Sequence, residues 1–193
     1  NDVIPSFVPA TLKSISPKWS SSPKMSDKTV NSFFSLINPI AIPATGSAIM
    51  AGSGNSISGH FNVIVAGAKN LISGGTQNFI GGGTGIDIIG SSIYCVNVGG
   101  EDNDISGAGR SVINGGKNNL IKGSNAANIG GGQNNVIRNG LNSTIGGGDS
   151  NIISGSLLSA SVIAGGLNNR ILGSDVSYNF IGAGATNKID GTS

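Results

Sequence analysis

Charge is scarce in this sequence: Asp, Glu, Lys and Arg make up 10 % of its 193 residues, against about 25 % in ordinary globular domains. A disordered chain would carry more charge and less aliphatic content. The formal charge of +2 comes with no basic stripe, so nucleic acid is not an expected partner. The single cysteine, Cys95, excludes an internal disulfide framework and a multi-cysteine zinc site, and it reads as a small buried hydrophobe. No apolar run approaches the ~18 residues of a membrane span, and no secretory signal pattern opens the chain. With one histidine, His60, a Ser–His–acid triad has a single available base, and no nucleophile elbow accompanies it. His60 is expected in a turn.

Proline is missing from the last 150 residues; all 6 lie at or before Pro43. Proline removes a backbone donor and is excluded from central strands, so only the later part can be continuous hydrogen-bonded sheet. Residues 1–50 are expected to form an arm, anchor or cap, with Lys13, Lys18, Lys24 and Lys28 outweighing Asp2 and Asp27. Within it, residues 31–43 are apolar enough to dock as a cap or as an anchor to a partner. Residues 51–193 are expected to form one repeat domain. The start at Asn1 suggests a processed or partial chain, and a last coil close to Ser193 suggests a further domain or partner covering the open sheet end.

What the chain has in excess is glycine, 33 residues. Each costs roughly 1 kcal/mol inside a helix, and the strict triplet of collagen is missing. The glycines belong to a repeat. Asn103, Asn119, Asn135, Asn151, Asn169 and Asn187 each precede by two positions Ile105, Ile121, Ile137, Ile153, Ile171 and Ile189. Two positions further stand Gly107, Gly123, Gly155, Gly173 and Gly191, with Asn139 at the one exception. Asparagine is the non-glycine residue that best tolerates positive φ, so the exception keeps the conformational rule.

Between these beats lies a second one. Ile113, Ile129, Ile145 and Ile163 follow Ser111, Ala127, Ser143 and Ser161 by two positions and precede glycine pairs; Ile181 is a looser copy. Ile57, Ile64, Ile72 and Ile80 continue the alternation upstream, while the register blurs over 84–100. Two short strands and two turns per 16–18 residues predict an all-β fold, a parallel β-solenoid of eight or nine coils. Residues at i, i+2 and i+4 of a strand share a face, which puts the isoleucines inside. The asparagines then stack at about 4.8 Å and are expected to pair amide to amide.

The residue before each isoleucine faces outward. In one column stand Leu71, Leu120, Val136 and Ile152, then Arg170 and Lys188; in the other Val63, Phe79, Val112, Val162 and Phe180. A thin rod in water has no use for such strips. Leu120, Val136, Ile152, Val112, Val162 and Phe180 are therefore expected to mediate chain–chain contact, most simply in a trimer. Gly82, Gly83, Gly85, Asp87 and Ile89 match one copy of a calcium β-roll nonapeptide; without a tandem copy no shared ion is expected. Glu101, Asp102 and Asp104 read as charges at a solvated corner. No catalytic residue, metal site or cofactor is expected, and the chain is not read as an enzyme.

Units such as NNLIKGSNAANIGGGQNNVIRNG and NSTIGGGDSNIISG resemble the head repeats of trimeric autotransporter adhesins. They also resemble the Gly/Asn/Ile repeats of tail fibres and surface spikes of phages and large algal viruses, including chlorella-virus attachment proteins. The resemblance covers roughly 51–191 and implies a homotrimeric solenoid on a virion or other extracellular surface that recognises a host, here a cell-surface glycan. The bacterial repeat is shorter than 16–18 residues, which favours the viral or phage branch over a bacterial adhesin head. The exposed Asn and Ser rows with Arg110, Lys117, Lys122 and Arg138 are the expected contact groups. A structural or cement protein, anchored to a capsid or tail partner by its N-terminal arm, is the alternative from another class.

Overall fold

Strand-forming dipeptides separated by glycine-rich corners leave no room for a helix in the repeat, and none occurs among the described residues. The computed structural model describes residues 45–174 and 178–191. Its first six strands are β1 (Ala48–Ile49), β2 (Ser56–Ile57), β3 (Val63–Ile64), β4 (Leu71–Ser73), β5 (Phe79–Ile80) and β6 (Asp87–Ile89). Next come β7 (Val96–Asn97), β8 (Asp104–Ser106), β9 (Val112–Ile113), β10 (Leu120–Lys122), β11 (Asn128–Ile129) and β12 (Val136–Leu141). The last are β13 (Thr144–Ile145), β14 (Ile152–Ser159), β15 (Val162–Ile163), β16 (Arg170–Gly173), β17 (Phe180–Ile181) and β18 (Lys188–Gly191).

Odd-numbered strands form one 9-stranded sheet and even-numbered strands another, each in sequence order and parallel throughout. The chain crosses between the sheets twice per coil, which makes a parallel β-solenoid. At about 4.8 Å per coil the rod is roughly 40 Å long. Because β1 already pairs with β3, the solenoid begins ahead of residue 51. Residues 1–44, most of the expected arm, lie outside the described residues.

The core is a pair of isoleucine columns. Ile57, Ile72, Ile88, Ile105, Ile121, Ile137, Ile153 and Ile171 are fully buried along the even sheet, facing Ile64, Ile80, Ile113, Ile129, Ile145 and Ile163 along the odd one. Ile181 is buried, and Ile189 packs against the core while partly buried at the rod's end. Each buried isoleucine contributes about 1.5–3 kcal/mol.

The two corners of the coil differ in length rule. From an inner odd-sheet residue to the next inner even-sheet residue the step is always 8, as in Ile49 to Ile57, Asn97 to Ile105 and Ile181 to Ile189. We call this the glycine corner. At the opposite, variable corner the step is 7 after Ile57, 9 after Ile88, and 10 after both Ile153 and Ile171. Every change in coil length is therefore absorbed on one side of the rod. One insertion is visible as a register shift, where Arg138 and Gly140 of β12 pair with Ser154 and Leu158 of β14.

The blurred stretch over 84–100 is in register after all. Ile86 takes the place of a ladder asparagine, Cys95 that of the small inner residue, and Asn97 that of a core isoleucine between Ile80 and Ile113. All three are fully buried. Burial pushes the Cys95 thiol pKa up, and its Sγ–H donates to the Ala108 carbonyl at 3.3 Å. Asn97 donates to the Asn103 carbonyl at 3.0 Å, but its Oδ1 has no partner.

Candidate functional site

At the glycine corner an inward asparagine must satisfy its own amide where no strand partner can. Asn119 shows how: its Nδ2 donates to the Gly115 carbonyl at 3.0 Å and to the Gly132 carbonyl of the next coil at 2.9 Å. Its Oδ1 accepts the backbone N–H of Asn135 at 3.0 Å. Asn103, Asn135, Asn151 and Asn169 repeat the pattern, and Asn187 closes it. The ladder reaches upstream to Asn55 and Asn70. The expected amide-to-amide pairing is thus corrected: most bonds run from side chain to backbone. Direct side-chain pairs join Asn151 to Asn135 and Asn187 to Asn169; the carbonyl reached in the next coil, as at Gly132, is shared with a backbone donor, there the Lys117 N–H.

The same corner carries a glycine column. Gly116, Gly132, Gly148 and Gly166 have φ between +81° and +97°, and a Cβ on any of them would overlap the carbonyl oxygen of the glycine in the next coil. The following beat, Gly107, Gly123, Asn139 and Gly173, stands at the variable corner with positive φ, at Asn139 as expected. Gly155 departs from that rule, lying inside β14.

Both corners also contain a left-handed residue just before each inward ladder residue. At the glycine corner this column reads Gly54, Lys69, Gly85, Asp102, Asn118, Asn134, Ser150, Asn168 and Thr186. Most are types that enter this region readily. Polar side chains here pair between coils: Lys117 with Glu101 at 2.9 Å, and Gln133 with Asp149 at 2.7 Å. Asp149 is held below its ordinary pKa by hydrogen bonds from Ser150, Gln133 and Asn134.

At the variable corner the left-handed column is Phe61, Gln77, Tyr94, Arg110, Ala126, Asn142, Ala160 and Tyr178, with φ between 49° and 61°. Three are aromatic and one is arginine, residues that enter this region at a cost of roughly 1–2 kcal/mol each. Phe61 is 57 %, Tyr94 51 % and Tyr178 84 % exposed. Ile93, Tyr94, Gly109, Arg110 and Asn125 line a shallow cleft of about 230 Å³. Arg110 and Asn125 continue it into a second hollow of about 170 Å³ with Ala126, Leu141 and Asn142. The reading of the sequence did not single out Tyr94, Asn125, Leu141 or Asn142. The signal was available: the left-handed residue always stands three positions before the inner residue of an odd strand.

The expected chain–chain contacts fall in two columns on the two sheets. Leu120, Val136 and Ile152 are stacked and half-buried on the even sheet. Below them stand Asp87 and Asp104 in register, and above them Arg170 and Lys188. Burial first, then Asp87 and Asp102, push the Asp104 carboxyl up to about 6; Asp87 is raised by burial and by Asp102. On the odd sheet the outward column is uncharged: Val63, Phe79, Val96, Val112, Asn128, Thr144, Val162 and Phe180. His60 sits at the variable corner beside Thr76. Among the described residues no group of acids, histidine or cysteine is placed to hold a metal ion. The fold and surface define a β-solenoid with one uniform and one varied edge. The chain matches no known family model and no curated protein.

Proposed function

We propose that this solenoid is a non-enzymatic fibrous surface protein of a virus or phage that attaches to a host cell-surface polymer, a glycan. The observation that carries this reading is that coil-length variation and the exposed corner aromatics Phe61, Tyr94 and Tyr178 share the variable corner. Stacked repeats that place insertions on one face commonly use that face for binding. A row of side chains at coil spacing suits a polymer whose own units repeat, and several weak contacts add to avidity.

Parallel association into a trimer belongs to the same proposal. In a parallel trimer a column that faces the axis meets its own copies at the same height, so the even sheet turned inward would set Asp87 and Asp104 against like charges. The uncharged odd column, with Phe180 at 66 % exposed, supports contact through Val112, Val162 and Phe180 instead. Incubation of the purified chain with insoluble bacterial and algal cell walls tests attachment: co-sedimentation that soluble wall polysaccharide competes away is expected. A chain left entirely in the supernatant across such walls contradicts it. Native mass measurement tests the trimer.

A further inference from the structure

We infer that the cleft at the variable corner, between Tyr94, Arg110, Asn125 and Asn142, binds a carboxylate-bearing sugar chain. This rests on the attachment reading above and names the chemistry of the attached polymer. Four successive coils contribute to the cleft, a span of about 14 Å at the coil rise, long enough for several sugar units lying along the rod. Tyr94 presents an exposed ring and Ile93 and Leu141 apolar edges, suited to the apolar face of a pyranose. Asn125 and Asn142 each offer an amide donor and acceptor for hydroxyl groups, and neither side chain is bonded elsewhere within the described residues.

Charge selects the anion. No Asp or Glu occurs between Asp104 and Asp149, whereas Arg110, Lys117, Lys122 and Arg138 all fall there. Lys117 is taken by Glu101. Arg110, Lys122 and Arg138 are exposed and have no ion-pair partner among the described residues. Arg110 lines both halves of the cleft, and its planar guanidinium matches a carboxylate in a two-point contact. Its backbone is left-handed (φ 49°), as is that of Tyr94 (φ 59°). Asparagine would serve the coil better at both positions. Strained choices that the fold does not need point to use.

The test measures binding of soluble polygalacturonate oligosaccharides by calorimetry, beside their methyl-esterified, uncharged form and inorganic polyphosphate. The wild type is expected to bind the acid form at least tenfold more tightly than the ester, less tightly as salt rises, and in preference to polyphosphate. Arg110→Asn is expected to erase the acid-over-ester preference, and Tyr94→Asn to weaken both forms. Both variants are expected to melt at or above the wild-type temperature, which separates lost binding from lost folding. Equal binding of acid and ester, preference for polyphosphate, or unchanged binding by either variant overturns the inference. Co-sedimentation with cell walls without binding to the acid oligosaccharide overturns this inference and leaves the attachment reading standing.

Discussion

The two corners of this solenoid turn the chain through the same geometry with different residues. Each places a left-handed residue just before its inward residue, and in most coils that inward side chain bonds to the next coil, Ile86 and Ala127 being exceptions. The glycine corner does so with glycine, asparagine and a fixed step of 8 residues. The variable corner accepts steps from 7 to 10, and puts tyrosine, phenylalanine and arginine where asparagine would be less strained. The difference separates what the coil requires from what it merely tolerates. Length is fixed at the corner whose asparagine ladder runs through nearly every coil. It varies at the corner where, among the described residues, such amides bond to the backbone of the next coil only in the stretch around Asn62 and Asn78.

The largest test breaks the glycine corner. Gly132→Ala forces a Cβ into the carbonyl oxygen of Gly148 at φ +81°. The left-handed cost of roughly 1–2 kcal/mol adds to an overlap that only backbone movement can relieve. A loss of about 4 kcal/mol or more is expected in urea unfolding. Next is Asn135→Ala, which orphans the Gly131 carbonyl and the Asn151 N–H and takes one of two donors from the Gly148 carbonyl, which keeps the Gln133 N–H. At about 1–3 kcal/mol per orphaned buried group, partly offset by water at the exposed carbonyls, a loss of about 3 kcal/mol is expected. A loss below about 1 kcal/mol in either variant would show that the corners are not different in kind.

Most of the fold was legible because the repeat dictates it. Isoleucine at every second strand position and glycine at the turns leave few alternatives to stacked coils, and the core from Ile105 to Ile181 falls where periodicity puts it. The stretch over 84–100 was not legible because Ile86 and Asn97 exchange the expected types within a coil lengthened by one residue. Burial with register neighbours on both sides imposes the ordinary coil geometry there regardless. The direction of the ladder bonds was hidden too, since sequence shows which amides stack but not how near the carbonyls of Gly115 or Gly132 approach. The cleft escaped notice because Tyr94, Arg110 and Asn142 share a backbone conformation, not a residue type.

Asn97 itself sharpens the comparison, because it is a core residue that the repeat would not choose. Asn97→Ile restores the column between Ile80 and Ile113 and removes an unpaired buried oxygen. A gain of about 2 kcal/mol is expected from the added apolar burial and the removed polar penalty, measured by urea unfolding. No gain would mean that the Asn97–Asn103 bond organises the lengthened coil.

Between the corners, Asp104 sets a pH dependence. Its carboxyl is raised from the ordinary 3.8 to about 6 by burial and by Asp87 and Asp102, with Asp87 on one side and uncharged Leu120 on the other. The folded chain therefore holds this proton more tightly than the unfolded chain. Its effect on stability is most favourable below the unfolded pKa, is lost as pH rises towards 6, and stays lost above. Asp104→Asn is expected to flatten thermal melting between about pH 4 and 6 and to raise the melting temperature at pH 7–8. Parallel wild-type and variant profiles would contradict this.

The smallest effect is the most discriminating between the corners. Tyr178 is 84 % exposed at φ 61°, so its side chain loses little packing when replaced. Tyr178→Asn relieves left-handed strain and is expected to stabilise the chain by up to about 1 kcal/mol. At the other corner, Asn134→Tyr at φ 56° reverses the exchange. It also removes the hydrogen bonds of Asn134 to Asp149 and Asn118, so a loss of about 1–2 kcal/mol is expected. Opposite signs in matched urea titrations would show that both corners obey one backbone rule and that the variable corner departs from it for its exposed side chains. Equal signs would mean that the aromatic residues contribute packing along the rod, and the strain argument for the cleft would lose its footing.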